Sequence, residues 1–169
     1  MPTYIHRVDD LLLFNEVVEK GGFSAAESYA WHRRLLETKG DVYDPRVRSR
    51  IMRGAEQSAA EYIDLLNRRS EAIAAYAAAM RDVDAIVMPT VPIIPPRIGD
   101  LERDEDFTTQ NLLVLRNTLI INVLDGCSIS VPMTSRGAAP CGLMLSSTAG
   151  SDHRLLGIAA AVEAQLGVA

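Results

Sequence analysis

The sequence predicts an α/β or α+β domain, on three observations. Helical spacing of apolar residues dominates the first half of the chain, short apolar runs bounded by turn residues begin only at Asp84, and helical patterns return between and after those runs. A length of 169 residues, 48% of them hydrophobic and 23% charged, is about one domain and enough to bury a core. The expected organisation is a single domain over 1–169, mainly helical over 1–83 and built of strands and helices over 84–169.

Taken in order, "DDLLLFNEVVEK" (9–20) reads as a helix begun by acidic residues and stopped by Gly21-Gly22. "SAAE" at 24–27 is a capping box that opens a second helix running to about Lys39, with Gly40 ending it. Asp44-Pro45 opens a third. Unbroken to Arg81 it would be about 55 Å long, too long for a compact domain of this size. Gly54 and a second "SAAE" at 58–61 supply the break. Beyond it, Ala59, Tyr62, Ile63, Leu66, Ile73, Ala77 and Met80 form one stripe that predicts a core-facing helix.

"AIVM" (85–88) predicts a strand buried on both faces. Pro89, Pro92, Pro95 and Pro96 then hold the chain extended and stiff, without donors for a ladder. "DFTTQNLLVLRNT" is helical from about Thr109. "CSISVP" and "CGLMLSS" are strands that could pair antiparallel across "MTSRGAAP". Ser151-Asp152 caps a last helix carrying Leu155, Leu156, Ile158, Ala159, Val162 and Leu166.

The net charge of −5 is spread along the chain, with no basic cluster beyond "RVRSR" and "NRR". That argues against nucleic acid or an anionic membrane surface as partner and favours small molecules or proteins. No apolar run approaches the roughly 20 residues that span a bilayer, and "MPTYIHRVDD" lacks a secretory apolar core. A cytoplasmic location follows as an expectation. Cys127 and Cys141 have no metal or redox spacing and read as buried free thiols.

Common catalytic constellations are missing from the sequence. It holds no phosphate-binding glycine loop and no Gly-x-Ser-x-Gly elbow, and His6, His32 and His153 are too scattered for a metal site, so no cofactor or metal is expected. Ser128 and Ser130 share one face of a strand, but neither has a His or Lys nearby in sequence to act as base. The two lysines, Lys20 and Lys39, each precede a helix-ending glycine, where a cation favours the dipole; that exposed position is the opposite of the desolvation a basic lysine needs.

Taken together, "FSAAESYAWHRRLLE", "YDPRVRSRIMRGAEQSAAEYI", "DAIVMPTVP", "NTLIINVLDGCSISVP", "APCGLML" and "SDHRLLGIAAAVEAQLG" resemble, in order, the carboxy-terminal part of the amidase signature family. The resemblance runs from about residue 10 to the end. It implies a mixed β-sheet flanked by helices, and hydrolysis or transfer at a carboxamide by a Ser–cis-Ser–Lys triad with backbone amides holding the oxyanion. Those reacting groups lie upstream of the region resembled, so no catalytic residue is assigned here.

The resemblance also implies the candidate substrate-binding residues. Arg50 matches an arginine that binds a substrate carboxylate in the amidotransferase branch, a task its planar fork suits. Thr90, Ile93 and Ile94 lie in the proline loop that borders the cleft. Two departures, Cys127 where the family usually has Pro and Leu115 near an acidic position of the amidotransferase branch, argue against a tRNA-dependent amidotransferase. Asn122 is assigned to backbone groups at a helix end.

Three readings follow. The chain is part of an amidase and inactive alone; or it is a noncatalytic assembly module that pairs with a triad-bearing chain or with itself through exposed apolar sheet; or it is a free-standing enzyme using Ser130 or Cys127 with His153.

Overall fold

The computed structural model describes residues 22–135 and 137–167, with side chains from Ser24 onward; the helix expected at 9–20 and His6 lie outside the described residues. The chain divides into two compact units, 1–72 and 73–169.

In the first unit, helix α1 (Gly22–Lys39) is already under way at Gly22, so Ser24 sits inside its first turn and the "SAAE" box there does not open it. Its end at Lys39 falls where Gly40 predicts, and the chain passes through a 3-10 turn, Gly40–Val42. Asp44 then caps α2 (Pro45–Met52): its Oδ1 accepts from the backbone N–H of Arg46 at 2.9 Å and of Val47 at 3.2 Å, with Pro45 at the first helical position. The break expected at Gly54 is a second 3-10 turn, Arg53–Glu56. Packing fixes glycine there as much as the turn does, because a Cβ would stand 2.0 Å from the Ala25 carbonyl oxygen and 2.8 Å from the Tyr29 Cβ.

The second capping box is realised in full. Ser58 Oγ accepts from the Glu61 N–H at 3.2 Å while Glu61 Oε2 accepts from the Ser58 N–H at 2.8 Å, opening α3 (Ala59–Ala79). The predicted stripe, however, names the wrong face in the first turns. Ile63 is 55% exposed, and Leu65 is the buried residue. Tyr62, Ile63, Leu65 and Leu66 spread apolar side chains over a broad arc of these turns, so spacing alone leaves more than one face open. Glu61, Leu65 and Arg68, at i, i+4 and i+7, line an open depression with Ala25, Arg53 and Gln57, and of the three only Leu65 is buried.

The second unit is built on a three-stranded sheet in the order β1-β3-β2, from β1 (Ile86–Pro89), β2 (Cys127–Pro132) and β3 (Gly142–Ser147). Both pairings are antiparallel, Ile86 opposite Ser146 on one side and Ser128 opposite Ser146 on the other; the β2–β3 hairpin is the one the sequence suggests. Alternation along the strands sorts the side chains into two faces. Helix α5 (Asp152–Leu166) covers one of them: Leu155 and Ala159 pack on Val131 and Leu145, ringed by Cys127, Ile129, Leu143, Ile158, Val162 and Leu166.

Strand β1 is not buried on both faces as expected. It lies at the sheet edge with Val87 61% exposed, because the α5 core is centred on Val131 and Leu145, the residues of β2 and β3. Helix α4 (Asp104–Val123) begins five residues before the predicted Thr109, with Asp104, Glu105 and Asp106 favouring the positive end of its dipole. It stops in a Schellman motif. The Gly126 N–H donates to the Ile121 carbonyl at 2.9 Å and the Asp125 N–H to the Asn122 carbonyl at 3.2 Å, with Asp125 itself left-handed at φ 56°.

Two smaller expectations are also corrected. Ser151 stands at the start of α5, but its hydroxyl pairs with Thr148 Oγ1 at 3.1 Å instead of capping the helix. Cys141 is exposed, since it lies in the connection outside β3, whereas Cys127 is half-buried with its thiol on the carbonyls of Ser147 and Thr148. Among the described residues no helix is long and apolar enough to cross a membrane.

Candidate substrate-cleft wall

The proline loop starts where β1 ends. After Pro89 the backbone bends over Thr90–Ile93 and only then runs on without regular structure to Arg97, so the prolines do not hold the whole segment extended. Prolines fix φ but leave ψ free, and the bends use that freedom. What makes the loop's root definite is hydrogen bonding. The Thr90 N–H donates to the Gly142 carbonyl at 2.9 Å, adding one bond to the β1–β3 ladder. The Pro89 carbonyl accepts from Asn117 Nδ2 of α4 at 2.7 Å. Thr90 Oγ1 meets Ser130 Oγ at 2.5 Å.

That last contact reaches across a strand. Thr90 follows β1 and Ser130 is on β2, and β3 runs between them. Neighbouring strands are about 4.8 Å apart, so two hydroxyls on β1 and β2 can meet only above a position with no side chain. Gly142 is that position: a Cβ on it would lie 2.6 Å from Ser130 Oγ and 2.7 Å from Thr90 Oγ1. Further along the same face, Ser128 and Ser146, direct register partners, pair at 2.7 Å, with Ser146 wholly buried.

Of the candidate residues, Thr90 and Ile93 are half-buried and Ile94 is 87% exposed, all three in the second unit. Arg50 is exposed in the last turn of α2, in the first unit. The side chains weighed for nucleophilic chemistry have other partners: Ser128 bonds Ser146, Ser130 bonds Thr90, and Cys127 bonds carbonyls, while His153 is exposed in the first turn of α5. His32 pairs instead with the Tyr43 hydroxyl through Nδ1 at 2.8 Å. Asn122, expected to serve backbone groups at a helix end, accepts there from the Asp125 N–H through its own carbonyl. Among the described residues no group of three or more His, Cys, Asp or Glu could hold a metal ion.

Sequence reasoning missed Asn117 and Gly142. Both left a trace. Asn117 interrupts the stripe Leu113, Asn117, Ile121 at core spacing, where an amide demands a partner, and it is 6% exposed. Gly142 opens an apolar strand run, a placement that marks close approach of other groups.

The family model described as Amidase matches residues 2–156. The 2-amino-5-chloromuconic acid deaminase of Comamonas testosteroni is 31% identical over 153 residues, which are 90% of this chain and 33% of that protein. A glutamyl-tRNA(Gln) amidotransferase subunit from Mycobacterium tuberculosis is 32% identical over 140 residues, 79% of this chain and 28% of its own length. Among solved structures, an allophanate hydrolase variant of Kluyveromyces lactis superposes with a TM-score of 0.75 at 23% identity, over 89% of this chain and 24% of that one. The chain thus spans about a third of the length of the curated relatives it matches.

Proposed function

Since the chain belongs to the amidase family, we propose that it forms part of an enzyme hydrolysing a carbon–nitrogen bond of a small-molecule carboxamide, and that its share is a wall of the substrate cleft. The observation that carries this reading is the family match over residues 2–156. The loop root supports it: Thr90 is held by backbone and side chain at once, a rigid mount for Ile93 and Ile94. Arg50 binds a carboxylate of the substrate. A guanidinium fork suits that group, and the substrate named for the Comamonas relative is itself an acid. The Ser–cis-Ser–Lys machinery comes from outside these residues, and the chain alone does not turn over.

Two assays test this. The purified chain, incubated with simple carboxamides, stays at the buffer rate; turnover abolished by replacing one of its own serines overturns the reading. Grafted in place of the matching third of the Comamonas deaminase, it supports turnover, and Arg50→Lys raises KM about tenfold with little change in kcat.

A second reading, a noncatalytic module that pairs with a triad-bearing chain or with another copy, is favoured by the exposure of Val87 on the β1 edge. Light scattering separates the two: a monomer at all concentrations counts against self-association.

A further inference from the structure

We propose that the Thr90–Ser130 hydroxyl pair, seated over Gly142, is a polar subsite that binds an acceptor oxygen of the substrate, either an amide carbonyl or a carboxylate. This rests on the reading that the Thr90 loop borders the cleft. The two hydroxyls have two protons between them, and their 2.5 Å contact consumes one. The other is free to donate outward, because Ser130 is exposed and Thr90 half-buried. The pair therefore presents one free donor beside lone pairs that can accept, and an acceptor oxygen of the ligand is what that donor takes.

The backbone beside the pair offers little competition for that role. The Thr90 N–H is spent on the Gly142 carbonyl. Pro132, the register partner of Gly142, and Pro89, the partner of Leu143, have no N–H to offer. The second hydroxyl pair on this face, Ser128 with Ser146, has Ser146 wholly buried and only Ser128 exposed, and it lies further along the strands from the proline loop. The subsite is also preorganised. Asn117 and Gly142 fix the Pro89–Thr90 peptide, one at its carbonyl and the other at its N–H, before any ligand arrives, so binding does not have to order the loop root.

The test is a titration of the isotopically labelled 169-residue chain, followed by amide NMR, with propionamide in one arm and propionate in the other. Saturable shifts centred on Thr90, Ser130 and Gly142 are expected in at least one arm, and the arm that responds identifies the oxygen as carbonyl or carboxylate. Ser130→Ala and Thr90→Val each weaken that binding about tenfold, whereas Thr90→Ser retains it. No saturable shift at the three positions in either arm, or shifts that survive both Ser130→Ala and Thr90→Val, overturns the proposal.

Failure of the broader reading looks different. A graft that gives no turnover, beside a chain that still shows saturable shifts at these positions, sinks the cleft-wall assignment and leaves the binding site. A working graft in which Ser130→Ala leaves KM unchanged sinks the subsite alone.

Discussion

Asn117, buried in α4, donates its side-chain amide to the carbonyl of Pro89 at 2.7 Å, so a helix that contributes nothing to the sheet ladder fixes the residue at which the proline loop begins. The same amide's Oδ1 accepts from Arg116 Nε at 3.3 Å.

Replacing Asn117 by Leu removes the donor and leaves the Pro89 carbonyl without it. The expected cost is about 1–3 kcal/mol in chemical denaturation, with faster amide exchange at Thr90 as the local signature. Unchanged exchange at Thr90 would show that the loop root does not depend on this bond.

Gly54→Ala tests the tightest backbone approach in the first unit. The added Cβ meets the Ala25 carbonyl and the Tyr29 Cβ, and backbone cannot swing aside as a flexible side chain does. A loss of about 3 kcal/mol or more is expected from urea unfolding, with the far-ultraviolet helix signal reduced before the sheet core is affected.

Ser58→Ala removes one half of the reciprocal box at the start of α3, and Asp44→Ala removes the cap of α2. Each is expected to cost about 1 kcal/mol. Their effects should add, since the two caps share no hydrogen-bond partner.

Tyr76 gives a pH prediction. Burial first, and then the neighbouring Cys127, raise its phenol above the ordinary tyrosine value of 10.0. The folded state thus favours the neutral phenol. Its contribution is intact below that ordinary value and is lost as pH rises through the raised folded value. The hydroxyl has no hydrogen-bond partner among the described residues. Tyr76→Phe is therefore expected to match or exceed the wild-type melting temperature at neutral pH, and to gain on it progressively in alkaline buffer. A variant that melts well below wild type at neutral pH would reveal a partner for the hydroxyl.

Local signals proved the most readable from sequence. Asp44-Pro45 and the Ser58–Glu61 box depend on atoms within four residues, and both appear as predicted. So does the hairpin of β2 and β3, whose pairing needs only the short connection between them. What sequence could not place depends on neighbours distant along the chain. Val87 looks like an interior residue until β1 is seen at the edge, and Leu65 is buried through contacts its own periodicity does not announce. The candidate site divides the same way. Thr90 stands out because prolines flank it, but its partner Ser130 is 40 residues away and the glycine beneath them belongs to a third strand.

The open side of β1 has a further consequence for how the isolated chain behaves in solution. A strand adding itself there finds within β1 only the Val87 N–H, since those of Ile86 and Met88 face β3 and Pro89 has none to give. A template that short propagates poorly, which protects the polypeptide against runaway edge-to-edge stacking even while Val87 remains uncovered.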